Sequence, residues 1–154
     1  MKGAIMYSSQ EVHDAQKLGE EILVRIIGND SAQELIAARK TRDGDKAHIT
    51  LVGPKEAKEF IAARALKGNV SKSLAEKSIK EELSQVNVES FTVKGLGHVT
   101  LEDKEAYFVV IDWPSGLSLR EKFGLNPQGQ DFHITVGFKN GDVHGVRKDK
   151  VVAV

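Results

Sequence analysis

The stretch DFHITVGF, Asp131–Phe138, alternates without a break. Successive side chains of a strand point to opposite faces, so Phe132, Ile134, Val136 and Phe138 share one side. His133, Thr135 and Gly137 share the other. An apolar face of this kind seats a strand on a core. The polar face presents an imidazole and a hydroxyl about 7 Å apart along the backbone. The same His-x-Thr unit recurs in KAHITLVG, Lys46–Gly53, where Ala47, Ile49 and Leu51 form the apolar side and His48 and Thr50 the polar one. A third copy, GHVTLED, spans Gly97–Asp103. Five His and five Thr placed at random in 154 residues predict far fewer than one such pair.

The three copies are not equivalent. Those at His48 and His133 are each followed by a Gly and fall in separate halves of the chain. The copy at His98 and Thr100 runs into the charged turn LEDKE and has no Gly in the corresponding position, so it reads as a bystander. Two polar faces on one cleft supply two imidazoles and two hydroxyls. A neutral His takes a proton from an attacking water or hydroxyl, and a protonated one gives a proton to the leaving oxygen. The hydroxyls of Thr50 and Thr135 hold the non-bridging oxygens of a phosphate and stabilise its transition-state charge. This kit suffices for phosphodiester chemistry without a metal. There is no HExxH and no Asp-rich cluster, and the five His are widely separated, so no metal site and no cofactor is expected.

Composition narrows the class further. The 40% hydrophobic and 29% charged fractions are ordinary for a globular chain, and 154 residues fit one domain with a real core. Twenty-two basic side chains balance twenty-two acidic ones, which argues against a grip on long duplex DNA but not against a small anion held by placed donors. Without cysteine there is no disulfide, thiol catalyst or thiolate metal site. No apolar run has membrane-span length, and the N-terminal apolar stretch is too short for a signal peptide, so a cytoplasmic setting is expected.

Along the chain, Gly3–Ser9 reads as a short strand. Val12, Ala15, Leu18, Ile22 and Ile26 recur at helical spacing up to Gly28. A second helix is predicted over residues 29–40, capped by Asp30 or Ser31, with TRDGD as turn chemistry. Pro54 opens a third helix with Ala57, Phe60, Ile61 and Ala65 on one side. After the linker KGNVSKS, a fourth turns Leu74, Ile79, Leu83 and Val86 inward. The second half reads as strand-rich: a hairpin of VESFTVKGLG and EAYFVVID, a short helix after Pro114, the loop LNPQGQ, and then the His133 strand. GLG, Gly95–Gly97, is read as a bulge or turn. Asn140-Gly141 is a hairpin signal, and the tail is a candidate edge strand. The layout is α+β, helices packed on antiparallel sheets.

HITLVG at His48–Gly53 and FHITVGF at Phe132–Phe138 resemble the paired motifs of the 2H phosphoesterase superfamily. The resemblance implies a bilobal α+β domain over residues 1–154: two antiparallel-sheet lobes, roughly 1–85 and 86–154, with outer helices and a central cleft. It implies a metal-independent phosphodiesterase with His48, Thr50, His133 and Thr135 as catalytic residues. Members act on 2′,3′-cyclic phosphates, cyclic ADP-ribose phosphates, RNA ends and related small phosphodiesters. The stretch from Asp131 to Asp149 is also similar to RNA-repair-like 2H proteins of fungi and to phage 2H nucleases that degrade cyclic oligonucleotides. The expected partner is therefore a small nucleotide, a cyclic oligonucleotide or an RNA end. The competing reading is a catalytically idle module that binds such a ligand in the same cleft.

Four further residues are candidates for substrate contact. Tyr7 and Trp113 are able to stack on a base, with core packing as the competing reading. Lys46 shares the His48 face by alternation, with ordinary surface lysine as its alternative. His144, shortly after the third motif, is a candidate for phosphate or base contact, against an exposed loop position. His13, early in the first helix, reads as solvated surface. The oligomeric state is not legible.

Overall fold

A computed structural model describes residues 3–85, 90–126 and 131–153. In chain order its elements are β1 (Ile5–Tyr7), α1 (Gln10–Ile27), α2 (Asn29–Asp43), β2 (Ile49–Val52), α3 (Pro54–Gly68), α4 (Lys72–Gln85), β3 (Thr92–Leu101), β4 (Lys104–Asp112), α5 (Pro114–Lys122), β5 (Phe132–Lys139) and β6 (Val151–Ala153). β1 and β2 form a two-stranded antiparallel sheet, and the other four strands form an antiparallel sheet in the order β5-β4-β3-β6. The fold is mixed α+β, in agreement with the sequence. Val86 and the last four residues of LNPQGQ lie outside the described residues.

Ser9 accepts the Val12 N–H at 3.2 Å and starts α1. Helices α1 and α2 both pack on β5, so helices from the first half of the chain cover the sheet of the second. α1 buries Val12, Ala15, Gly19, Ile22 and Leu23, while the expected Leu18 and Ile26 are 41% and 48% exposed. At Gly19 the helix approaches so closely that a Cβ would lie 2.5 Å from Val109 Cγ2, and this contact turns the buried stripe toward Gly19. In α4 the buried line is Ala75, Ile79 and Leu83, with Leu74 exposed. A strict four-residue step carries that face, rather than one beginning at Leu74.

α2 runs three residues past the predicted stop, through Thr41, Arg42 and Asp43, to Gly44. Its N-cap is Gly28, with Asp30 and Ser31 already inside the helix and no side chain capping it. Among its buried residues Ala32, Leu35, Ile36 and Arg39 follow the helical period, and one further turn places Arg42 near the same side. The turn signal of Asp43-Gly44-Asp45 was real but lay later than the sequence reading put it.

The β5–β4 ladder contains the fold's most consequential irregularity. Tyr107 pairs with Gly137, but Phe108 pairs with Thr135, which leaves Val136 as an extra residue on β5. Two helix side chains hold this bulge. Gln16 Nε2 donates to the Thr135 carbonyl at 2.9 Å, and buried Arg39 Nη1 donates to the Val136 carbonyl at 2.9 Å. Arg39 is itself held by Glu20 at 3.0 Å. The bulge also breaks the expected alternation. Phe138 pairs with Ala106, on the face shared by Phe108 and Val110, and so joins the side that carries His133 and Thr135. Gly137 turns toward α2, where a Cβ would lie 2.7 Å from the Leu35 carbonyl carbon. A second bulge, at Lys94 beside Gly95, accords with the reading of GLG.

Asn140 and Gly141 make the expected turn, with φ of 60° and 103°. No hairpin follows. The chain leaves the ladder because Asp142 and Val143 are buried elsewhere, and β6 pairs instead with β3 on the far side of the sheet. No described helix is long and apolar enough to cross a membrane.

Candidate active site

His48, Thr50, His133 and Thr135 line one cavity of about 170 Å³. The two pairs arrive from different sheets. β2 buries Ile49, Leu51 and Val52 and leaves Thr50 half-buried on the other side, with His48 just ahead of the strand. β5 buries Phe132 and Ile134 and presents His133 and Thr135. His13 anchors the approach to β2. Its Nε2 accepts the Ala47 N–H at 3.2 Å while its Nδ1 donates to the Ser9 carbonyl at 2.9 Å. The His13 ring is therefore half-buried and structural, not the solvated side chain expected, because the start of α1 packs beside the strand that delivers His48.

The middle copy of the motif is elsewhere. His98 pairs with Tyr107 and stacks on its ring at 4.2 Å, and its Nε2 meets Glu105 Oε2 at 3.0 Å. Register explains the separation. Phe108 and Val110 share the His133 face, so Tyr107 and its neighbour His98 share the opposite one.

Of the other candidates, His144 is exposed and lines the cavity rim. Tyr7, Trp113 and Lys46 do not line the cavity. Tyr7 pairs with Ile49, which puts it on the apolar side of β2, and its ring packs on Trp113 at 4.9 Å. Trp113 is 1% exposed and meets Phe132 edge-on at 5.1 Å. Lys46 is exposed ahead of β2, whose paired alternation begins only at Ile49.

Three charged residues not foreseen from the sequence also line the cavity: Arg42, Asp142 and Lys148. Arg42, at the end of α2, lies over the Phe138 ring at 4.9 Å, a platform made by the bulge. Its Nη1 donates to Asp142 Oδ2 at 2.6 Å, while Nε and Nη2 clasp Asp43 at 2.7 and 2.8 Å. Lys148 Nζ donates to Asp142 Oδ1 at 3.1 Å. For Arg42 the helical period of α2 was an available signal. Asp142 and Lys148 sit in an aperiodic tail where spacing carries no information.

Burial dominates the electrostatics. It pushes His133 down to about 3, and the Lys148 ammonium adds to the effect. Burial also lowers His48, with Asp43 partly opposing it. Burial alone would raise Asp142, but Lys148 and Arg42 outweigh it and hold the carboxyl below its usual range. At neutral pH the cavity thus presents two neutral imidazoles beside a fixed ionic cluster. Gly53 and Pro54, where α3 begins, form another part of the wall, and the positive end of the helix dipole favours an anion there. Among the described residues, no three His, Asp or Glu side chains converge as a metal site.

This chain belongs to the 2H phosphoesterases: the Swiss Army Knife 2H phosphoesterase domain family matches residues 14–144. That membership supports hydrolysis of a phosphoester bond as the general activity. The comparisons with curated proteins and with solved structures gave no match.

Proposed function

We propose that the protein is a metal-independent phosphodiesterase acting on a nucleotide-type phosphodiester: a 2′,3′-cyclic phosphate, a cyclic oligonucleotide or an RNA end. The observation that carries this reading is the single cavity shared by the His48/Thr50 and His133/Thr135 pairs. His133, the more strongly depressed of the two, is the neutral base that takes the proton of the attacking oxygen. His48 gives a proton to the leaving oxygen. Thr50 and Thr135 donate to the non-bridging oxygens. The attacking group is either water or the substrate's own 2′-hydroxyl.

Hydrolysis of 2′,3′-cyclic nucleotides, cyclic di- and trinucleotides and short RNAs in EDTA, with products resolved by mass spectrometry, tests the proposal. Turnover in EDTA that is lost in His48→Ala and in His133→Ala supports it. Full activity in the double variant sinks it. Calorimetric binding with the ligand recovered intact would mark an idle binding module instead. Substrates lacking the 2′-hydroxyl separate the two nucleophiles, since internal attack then gives no cleavage.

A further inference from the structure

The two-histidine mechanism leaves one buried cation unused. Lys148 lines the cavity with both His yet is only 5% exposed. Its Nζ donates to Asp142 Oδ1 at 3.1 Å. That oxygen also accepts the Val143 N–H at 2.8 Å, and Oδ2 is taken by Arg42 at 2.6 Å. The carboxylate is thus fixed from three directions and holds the ammonium in a set position. Arg42 is committed through all three nitrogens to Asp43 and Asp142. Lys148 shares Asp142 with it.

The ammonium lies on the His133 side of the cavity. It stands 5.9 Å from the Phe108 ring centroid, and that ring meets His133 edge-on at 5.7 Å. Phe108 in turn lies across Gly97, where a side chain would collide with its ring. After burial, the Lys148 charge is the next largest cause that lowers His133. An attack on a phosphodiester builds a further negative charge on the non-bridging oxygens. The Thr hydroxyls are neutral donors, and a fixed cation beside them stabilises that added charge further.

We propose that Lys148 is a catalytic residue of this site: its ammonium binds a non-bridging oxygen of the substrate phosphate, with Asp142 as its positioning residue. This rests on the phosphodiesterase reading above. The test compares Lys148→Met with Lys148→Arg on 2′,3′-cyclic nucleotides, with inorganic phosphate as a competitive probe. Lys148→Met is expected to lower kcat by about 10²–10³-fold, the usual cost of one preorganised donor. It should also weaken inhibition by phosphate and move the acid limb of the pH profile upward, because His133 loses a neighbouring cation. Lys148→Arg should recover part of the rate.

A second variant keeps the test decisive where Lys148→Met does not fold. The chain contains no cysteine, so Lys148→Cys carries a unique thiol. Alkylated in denaturant with 2-bromoethylamine and refolded, it regains an ammonium of lysine length. Alkylated with iodoacetamide it gains a neutral group of similar size. Activity in the first form and loss in the second supports the proposal. Equal activity in both, or an unchanged kcat and acid limb in Lys148→Met, overturns it. The proposal fails alone when His48→Ala and His133→Ala abolish turnover but Lys148→Met leaves kcat and the acid limb unchanged. The phosphodiesterase reading fails when the His variants are themselves active.

Discussion

His48 and His133 reach one cavity from strands of different sheets, and burial holds both below the ordinary histidine range. An acid–base pair needs one member protonated and the other neutral. That condition is met between about 3, the His133 value, and the depressed value of His48. The kcat/KM profile, which reports the free enzyme, is therefore expected to peak on the acid side of pH 6.5. A peak above pH 7.5 would contradict the assignment. His98 provides the control, since it lies on the opposite face of the sheet, bound to Glu105 and stacked on Tyr107. His98→Ala should leave kcat within about two-fold, in line with a substitution away from the site. At this scale the meeting of His48, Thr50, His133 and Thr135 in one cavity was legible, because strand alternation makes His-x-Thr a statement about shared faces. Tyr7, Trp113 and Lys46 were less so. Strand pairing and core packing decide where their side chains go, and those are tertiary facts.

Among the elements, the bulge at Val136 does the positioning. It turns Phe138 under Arg42, and it frees two carbonyls that Gln16 and Arg39 claim from the helices. Gly137 lets α2 close on β5 at that point. In Gly137→Ala the new methyl would lie 2.7 and 2.8 Å from Leu35 backbone atoms, so the helix must shift and carry Arg42 with it. The expected cost is about 1–3 kcal/mol, or a Tm lowered by roughly 3–10 °C, with reduced kcat. Unchanged Tm and kcat would show that the close approach is unimportant. The sequence disclosed most of these elements but not the bulge. An unbroken polar–apolar alternation from Phe132 to Phe138 contains no sign of the extra residue. Likewise Asn140-Gly141 signalled its turn correctly, while the buried Asp142–Lys148 cluster decided that no hairpin would follow.

Over the whole molecule, the ionic and imidazole groups of the site couple its chemistry to folding. The folded chain leaves His133 neutral down to about pH 3, whereas the unfolded chain protonates it near 6.5. Between those values the unfolded state binds more protons, so this contribution to stability is full above about pH 6.5 and is lost as pH falls toward 3. The depressed Asp142 acts in the same direction at lower pH. Thermal unfolding followed from pH 7.5 to 4 should show a falling Tm, with a shallower slope in His133→Asn. An equal slope in both proteins would remove His133 from the account. The α+β architecture was legible from periodicity and turn residues. The covering of the four-stranded sheet by α1 and α2 was not, since no local pattern says which sheet a helix face will meet. The central claim is that two histidines from two sheets act as one catalytic unit. The most direct test measures kcat for His48→Ala, His133→Ala and the double variant on the substrate that the wild-type protein turns over. The account predicts that each single change costs about 10²–10⁴-fold and that the double change costs little more, as for residues that act together. Losses that multiply in the double variant, or activity that survives it, would contradict the claim.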